Sequence, residues 1–370
     1  MKLLILSSNN GGGHNSVAAA IREYYELQGN EVVVEDCVSF LSERVSDLLS
    51  SSHVFIYRYL PGLFEDGFRN DTNKNKLFEE ERLLRQIINL GKYNLGEFIR
   101  EEGFHTVICT HVFGGMMLTA AIAQFNLQIR TAIVETDYWN TPGSINNDLD
   151  YHFVPYATLV HELVNYGIDE KRIVVSGIPV RNEATTMQDK AKAKAELGIP
   201  EGRAHVLVMG GSMGGGSIPS LVEQLYETVH DISDISIICG TNEKLEKSIR
   251  AKYEGCDDIH IYGYVKDMAR LYSGADVFVT KPGGISTTEA AVNGLPMVLL
   301  KGAAFCEEFN LNFFVGHGAA LSGETEEELS NACRTLLEHE EMRNAMAEIL
   351  RRIGNRNASK IIYETIEQTA

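Results

Sequence analysis

The chain opens with Lys2-Leu3-Leu4-Ile5-Leu6-Ser7-Ser8-Asn9-Asn10-Gly11-Gly12-Gly13-His14, and this stretch decides its fold. Four consecutive aliphatic residues, Leu3–Leu6, are typical of a strand buried on both faces of a parallel sheet. The glycines let the chain turn sharply, and helical periodicity follows over Ser16–Leu27. A strand, a glycine turn and a helix form the beginning of a βαβ unit.

The same alternation of apolar strands and helices runs along the chain twice. Strands are predicted in the first half at Leu3–Leu6, Val32–Val34, Val107–Cys109, Thr131–Val134 and Ile173–Val175. The pattern restarts with Val206–Met209, Ile235–Cys239, Ile259–Tyr262, Val277–Thr280 and Met297–Leu300. Two such series predict an α/β protein with two doubly wound domains that face each other across a cleft.

The boundaries follow from where the series stop and restart. We expect a first domain over 1–179 and a second over 180–353, with the hinge near 177–185. Residues 354–370 read as a C-terminal helix that packs back onto the first domain. A length of 370 residues agrees with two domains.

Composition excludes several classes of protein. The formal charge of −18 argues against broad nucleic-acid binding, which needs basic surfaces. The N-terminal apolar run is too short for a signal peptide, and no window reaches the ~20 apolar residues of a membrane span. Six cysteines without a CxxC pair fit reduced thiols and a cytoplasmic protein.

One segment departs from the alternation. Residues 53–68, HVFIYRYLPGLFEDGF, are dense in aromatic and aliphatic side chains. Over 53–100 the chain has eight basic and seven acidic residues, so this part carries +1 in a protein of −18. A nearly neutral apolar segment can dock on a membrane although the rest of the surface is acidic.

The first glycine turn supplies a candidate base. Gly12 and Gly13 let backbone N–H groups approach a ligand, and His14 falls in the first helical turn, where the dipole lowers an imidazole pKa. Taken alone, the motif is better explained by a tight turn with a surface histidine. Asp137, after the strand Thr131–Val134, either orients His14, serves as the base itself, or caps a turn.

A second glycine turn follows Val206–Met209 and reads Gly210-Gly211-Ser212-Met213-Gly214-Gly215-Gly216. Such a loop before a helix makes a nest for a phosphate or pyrophosphate. No Lys-Ser or Lys-Thr pair follows, which excludes a P-loop nucleotidase. A flexible hinge is the alternative.

A third strand-turn-helix element spans Thr280–Ala290. In one interpretation Ser286 caps the helix and Glu289 closes a capping box. In the other, the Glu289 carboxylate accepts hydrogen bonds from both hydroxyls of a ribose. Glu307 and Asn310 follow the strand Met297–Leu300, at the edge where α/β sheets place ligands.

In order along the chain, these elements resemble the family of monogalactosyldiacylglycerol synthases and processive diacylglycerol glucosyltransferases, and more distantly the lipid II-forming N-acetylglucosaminyltransferase. The motifs that carry the resemblance are Gly11–His14, Tyr59–Phe64, Thr110-His111, Thr136–Tyr138, Phe153–Pro155, Gly177–Val180, Gly210–Gly216, Gly263–Val265, Lys281–Ala290 and Gly294–Pro296.

The resemblance implies a GT-B fold, two Rossmann-like domains with a lipid acceptor in the first and a UDP-sugar in the second. It implies an inverting hexosyl transfer to diacylglycerol with no metal and no cofactor beyond the UDP-sugar, on the inner face of the cell membrane. Donor-binding residues would be Gly211, Ser212, Met213, Gly214, Tyr264, Val265, Gly283, Gly284, Ser286, Glu289, Glu307 and Asn310. Acceptor or membrane contacts would come from Gly12, Gly13, His111, Phe55, Tyr59, Leu63 and Phe64, with His14 as base and Asp137 as second choice.

One motif departs from the family. Ala304-Phe305-Cys306-Glu307 stands where Pro-Gly-Gln-Glu or Pro-Gly-Cys-Glu is usual, and Phe305 in place of glycine reshapes the sugar end of the pocket. Three alternatives therefore stay open. They are a lipid II-type UDP-N-acetylglucosamine transferase, a UDP-N-acetylglucosamine 2-epimerase, and a non-catalytic UDP-sugar-binding protein.

Overall fold

The computed structural model describes residues 1–9, 12–41, 90–140, 147–210, 218–302 and 305–367. The chain forms two compact units. The first unit comprises Met1–Pro179 together with Asn357–Ala370, and the second comprises Val180–Arg356.

The first unit is built on a parallel sheet of six strands. In chain order they are β1 (Lys2–Ser7), β2 (Glu31–Asp36), β3 (Thr106–Cys109), β4 (Arg130–Val134), β5 (Tyr151–Val154) and β6 (Ile173–Val175). Their order across the sheet is β2-β1-β3-β4-β5-β6. The helices are α1 (Gly12–Leu27), α2 (Lys92–Glu102), α3 (Val112–Phe125) and α4 (Thr158–Asn165). Leu4, Leu6 and Val107 pack with α2 and α3 in the core.

The second unit repeats this architecture. Its strands are β7 (Ala204–Met209), β8 (Ser233–Ile238), β9 (Ile259–Tyr262), β10 (Val277–Thr280), β11 (Met297–Leu299) and β12 (Ala320–Ser322), in the order β12-β11-β10-β7-β8-β9. The helices are α5 (Asn182–Thr185), α6 (Lys190–Glu196), α7 (Ile218–Val229), α8 (Glu243–Lys252), α9 (Ala269–Gly274), α10 (Gly284–Asn293), α11 (Phe305–Gly316), α12 (Glu326–Glu338) and α13 (Glu340–Ile353).

Each sheet has one point where the strand order reverses direction. In the first unit it lies between β1 and β3, and in the second between β7 and β10. In open α/β sheets, ligands bind in the crevice outside the carboxyl ends of the two strands at such a point. The strand order alone thus directs attention to the carboxyl ends of β1 and β3 in one unit and of β7 and β10 in the other.

The last helix, α14 (Ala358–Glu367), packs on the first unit. Its Glu367 carboxylate is nearly buried, pairs with Arg130 and accepts from Thr106 Oγ1 at 3.2 Å. Tyr363 meets the Tyr25 ring edge-on at a centroid distance of 4.9 Å. These contacts join α14 to α1 and to the amino ends of β3 and β4.

Most strands predicted from aliphatic runs are confirmed to within two residues at either end. Two strands were not predicted, because β5 carries a tyrosine and a histidine, and β12 has only three residues. The helix α1 begins at Gly12 rather than Ser16, so Gly12 and Gly13 belong to its first turn. In the described part of the chain no helix is long and apolar enough to cross a bilayer.

Candidate active site

His14 lies in the first turn of α1, beside the point between β1 and β3 where the strand order of the first sheet reverses. Its Nδ1 is 2.7 Å from the carbonyl oxygen of Thr110, the residue that follows β3. A carbonyl only accepts hydrogen bonds, so Nδ1 carries the proton and donates. In the neutral ring the lone pair is then on Nε2, which is the nitrogen that can take up a proton.

Thr136 and Asp137 approach the same imidazole from the end of β4. The Thr136 hydroxyl oxygen is 3.2 Å from His14 Nδ1, and this hydroxyl donates to Asp137 Oδ2 at 3.4 Å. Burial lowers the pKa of His14, while the Asp137 charge and the bond to Thr110 raise it, and the net shift is downward. His14 is thus neutral at physiological pH, and the nearby carboxylate stabilises the imidazolium once it forms.

His111 has a structural role in this cluster. Its Nδ1 accepts the backbone N–H of Phe113 at 3.1 Å and so caps the N-terminus of α3. Because Nδ1 accepts, the ring is neutral. It meets the His14 ring edge-on with centroids 4.6 Å apart. His111 thus caps α3 and packs against the His14 ring; its contact with the acceptor stays a prediction.

Several predicted site residues cannot be placed. Phe55, Tyr59, Leu63 and Phe64 lie outside the described residues, as do Gly211, Ser212, Met213 and Gly214. Gly12 and Gly13 are described and form the start of α1.

The third glycine element forms the N-terminus of α10, and here one interpretation of the sequence is wrong. The helix begins at Gly284 with Gly283 as the N-cap residue, so Ser286 is not the cap and Glu289 closes no capping box. Gly283 has no side chain to occupy the first N–H groups of the helix, which remain able to bind an anion. A Cβ on Gly283 would meet no atom within 4 Å.

Glu289 is held by the interior of the second unit. The Tyr272 hydroxyl donates to its Oε2 at 2.7 Å. Burial raises the pKa of Glu289, while the Tyr272 bond and the charge of Arg181 lower it, and the net shift is upward. Burial and the Glu289 carboxylate keep the pKa of Tyr272 well above its usual value, so the phenol remains the donor.

Glu307 and Asn310 both lie on α11. Asn310 is fully buried, and its Nδ2 donates to the carbonyl of Pro282 at 2.9 Å. In this structure it therefore fastens α11 to the loop after β10. Glu307 is half-buried in the first turn and so close to Gly302 that a Cβ there would lie 2.6 Å from its own. A contact of either residue with the donor sugar stays a prediction.

Tyr264 and Val265 follow β9 on the same edge of the second sheet. Tyr264 is exposed, with 67% of its surface accessible, and Val265 is half-buried. The preceding Gly263 leaves room for Glu246, because a Cβ there would lie 2.8 Å from Glu246 Oε2. A contact of Tyr264 and Val265 with the donor stays a prediction.

Two cavities of about 620 and 480 Å³ open at the opposite, amino-terminal edge of the first sheet. Arg130 and Asp150 line both. Arg130 is engaged by Glu367, and Asp150 accepts from the backbone N–H and the hydroxyl of Thr131 at 2.8 Å each. The polar groups of Arg130 and Asp150 are thus engaged by the protein itself.

Sequence reasoning missed the Thr110 carbonyl, Tyr272 and Arg181. A backbone acceptor leaves no mark in a sequence. Tyr272 sits 17 residues before Glu289 on another helix, a spacing that no periodic pattern connects.

Residues 14–180 match the family described as monogalactosyldiacylglycerol (MGDG) synthase, and residues 219–352 match glycosyl transferases group 1. The processive diacylglycerol beta-glucosyltransferase of Bacillus pumilus is 27% identical over 375 residues, covering 99% of this chain and 94% of that protein.

Solved structures share the fold. MurG of Acinetobacter baumannii superposes with a TM-score of 0.66 at 16% identity, over 100% of this chain and 99% of that one. The MnaA–UDP complex of S. aureus gives 0.62 at 15% identity, over 100% and 96%. The expected GT-B fold is thus confirmed. The family resemblance is confirmed as well: the chain matches the MGDG synthase family over residues 14–180 and the group 1 glycosyltransferases over residues 219–352, and it is similar over nearly its whole length to processive diacylglycerol glucosyltransferases.

Proposed function

We propose that this protein transfers a hexose from a UDP-sugar to the hydroxyl of 1,2-diacylglycerol, with inversion at the anomeric carbon and without a metal ion. The observation that carries the proposal is His14, a neutral imidazole whose Nδ1 is bonded to Thr110 O, so that Nε2 can accept a proton. Its position at the reversal point of the first sheet is where an acceptor hydroxyl would bind.

The chemistry divides between the units. His14 Nε2 takes the proton of the acceptor hydroxyl while that oxygen bonds to the anomeric carbon, and the bond from this carbon to the phosphate oxygen breaks. The electron pair leaves with UDP. In the second unit, the first N–H groups of α10 and the loop 211–214 would stabilise the charge on the diphosphate, and Glu289 would bind the ribose.

The relatives indicate which donor to test first. Full-length relatives are named as beta-glucosyltransferases acting on diacylglycerol, and the S. aureus neighbour was solved with UDP. We therefore expect UDP-glucose to be preferred over UDP-galactose.

A transfer assay tests the proposal. The purified protein is incubated with diacylglycerol vesicles and UDP-glucose, UDP-galactose or UDP-N-acetylglucosamine, with and without EDTA. We expect a glycolipid from one of the two UDP-hexoses and an unchanged rate in EDTA. Three results would refute this function in favour of an alternative. They are a transfer product from UDP-N-acetylglucosamine only, conversion of UDP-N-acetylglucosamine to its 2-epimer without transfer, and UDP binding without turnover.

Membrane attachment is expected to depend on apolar contact more than on charge, since residues 53–100 carry only +1. Replacing Phe55, Tyr59, Leu63 and Phe64 with serine should lower vesicle binding by at least ~10-fold, because each large apolar side chain contributes about 1.5–3 kcal/mol when buried. Co-flotation with anionic vesicles measures this. Salt at about 1 M screens charges beyond a few ångströms, so complete release of the unmodified protein by salt alone would contradict the expectation.

A further inference from the structure

Tyr272 occupies a fixed position behind Glu289. It is 1% exposed, and its backbone N–H donates to Met268 O at 2.9 Å. Its ring meets the ring of Phe278 edge-on, with centroids 5.6 Å apart at 74°. Phe278 is fully buried in the central strand β10. The place of the Tyr272 hydroxyl is thus set by the core of the second unit.

This hydroxyl restricts the carboxylate that it contacts. A glutamate side chain has three rotatable bonds, and a free one loses conformational entropy when a ligand fixes it. Here the bond from Tyr272 to Oε2 holds one rotamer of Glu289 before any ligand arrives. With Oε2 engaged, Oε1 keeps its full accepting capacity, and Oε2 retains a second lone pair.

Resting on the proposed function, we propose that Tyr272 is a positioning residue for the donor: its hydroxyl holds the Glu289 carboxylate in the orientation that accepts hydrogen bonds from the ribose hydroxyls of the UDP-sugar. Tyr272 does not touch the ligand in this account. It acts only through Glu289, so its effect should vanish when both ribose hydroxyls bound by Glu289 are removed.

The test compares Tyr272→Phe with wild type in calorimetric titrations of UDP, 2′-deoxy-UDP, 3′-deoxy-UDP and 2′,3′-dideoxy-UDP. We expect the variant to bind UDP ~10-fold more weakly, because its freed glutamate side chain must be ordered when the ligand binds. Its affinity for the dideoxy analogue should equal that of wild type, and its loss of affinity for each deoxy analogue should be smaller than that for UDP. In turnover, KM for the UDP-sugar should rise by a similar factor with little change in kcat.

Tyr253→Phe is the matched control. Tyr253 is also a buried tyrosine of the second unit, and its hydroxyl has no hydrogen-bond partner among the described residues. This variant should bind UDP like wild type and so measure the general effect of removing a buried phenol oxygen.

Two results would overturn the positioning role. One is an equal loss of affinity for UDP and for 2′,3′-dideoxy-UDP in Tyr272→Phe, which would mean a general structural defect. The other is unchanged UDP binding. Neither bears on the proposed function, which stands or falls on hexosyl transfer by the wild-type protein.

Discussion

His14→Ala is expected to lower kcat for hexosyl transfer by about 10²–10⁴-fold, the usual contribution of a positioned general base. The dissociation constant for UDP should not change, because His14 belongs to the first unit and the donor residues to the second. A general base predicts an unchanged Kd for UDP together with a strongly lowered kcat, since the imidazole acts only on the proton of the acceptor.

The controls for this variant come from the same unit. His161 is an exposed histidine of α4, and His161→Ala should leave kcat unchanged. Calorimetry with UDP checks the donor site, and thermal melting checks the fold. Weakened UDP binding in His14→Ala would refute the assignment as base, as would a kcat within a few-fold of wild type.

Asp137→Asn separates the two candidate bases. If His14 is the base, activity falls as pH drops through its pKa, which burial places below the ordinary histidine value. The Asp137 charge raises this pKa, so its removal should move the acid limb of the pH–rate profile to lower pH and lower the plateau about 10–100-fold, because the imidazolium loses its stabilising charge. Complete loss of turnover at every pH, with activity retained in His14→Ala, would make Asp137 the base.

The fold could be predicted from the sequence because its central strands are recognisable as continuous apolar runs. Runs such as Leu3–Leu6 and Val277–Val279 are apolar throughout, as is typical of strands covered on both faces. The strand β5 escaped notice because His152 interrupts the run, although the structure buries that ring completely. Burial of a polar residue depends on its neighbours in three dimensions, which the local pattern does not contain.

The sequence was enough to predict which residues and loops belong to the candidate site, but not the hydrogen bonds between them. The position of His14 after a strand and a glycine turn was enough to make it a candidate. Its tautomer depends on a backbone carbonyl 96 residues away, and this carbonyl could belong to any residue type at position 110. The capping-box interpretation of Glu289 is wrong because α10 begins at Gly284, two residues before Ser286. Gly283 and Gly284 precede the helical pattern, and the sequence does not show which of these residues is the first of the helix.

Glu289→Gln is expected to weaken UDP binding by ~10²-fold and to lower kcat/KM for the UDP-sugar by a similar factor. Two hydrogen bonds from a ribose to a carboxylate contribute about 1.5–3 kcal/mol each, and the amide replaces one accepting oxygen with a donor. That donor would also face the Tyr272 hydroxyl or the ribose, so in either orientation one contact is reversed and both lose the strength that the negative charge gives them. The fold should survive, since the substitution keeps shape and volume.

The measurement pairs this variant with His14→Ala, because the two should fail in opposite ways. Glu289→Gln should raise Kd and KM while kcat at saturating donor stays within about tenfold, whereas His14→Ala should lose kcat alone. Glu243→Gln, a fully solvent-facing glutamate on α8, is the matched control and should bind UDP normally. If Glu289→Gln still bound UDP at least tenfold more tightly than both deoxy analogues, ribose recognition would have to reside elsewhere, and the role of Tyr272 would fall with that of Glu289.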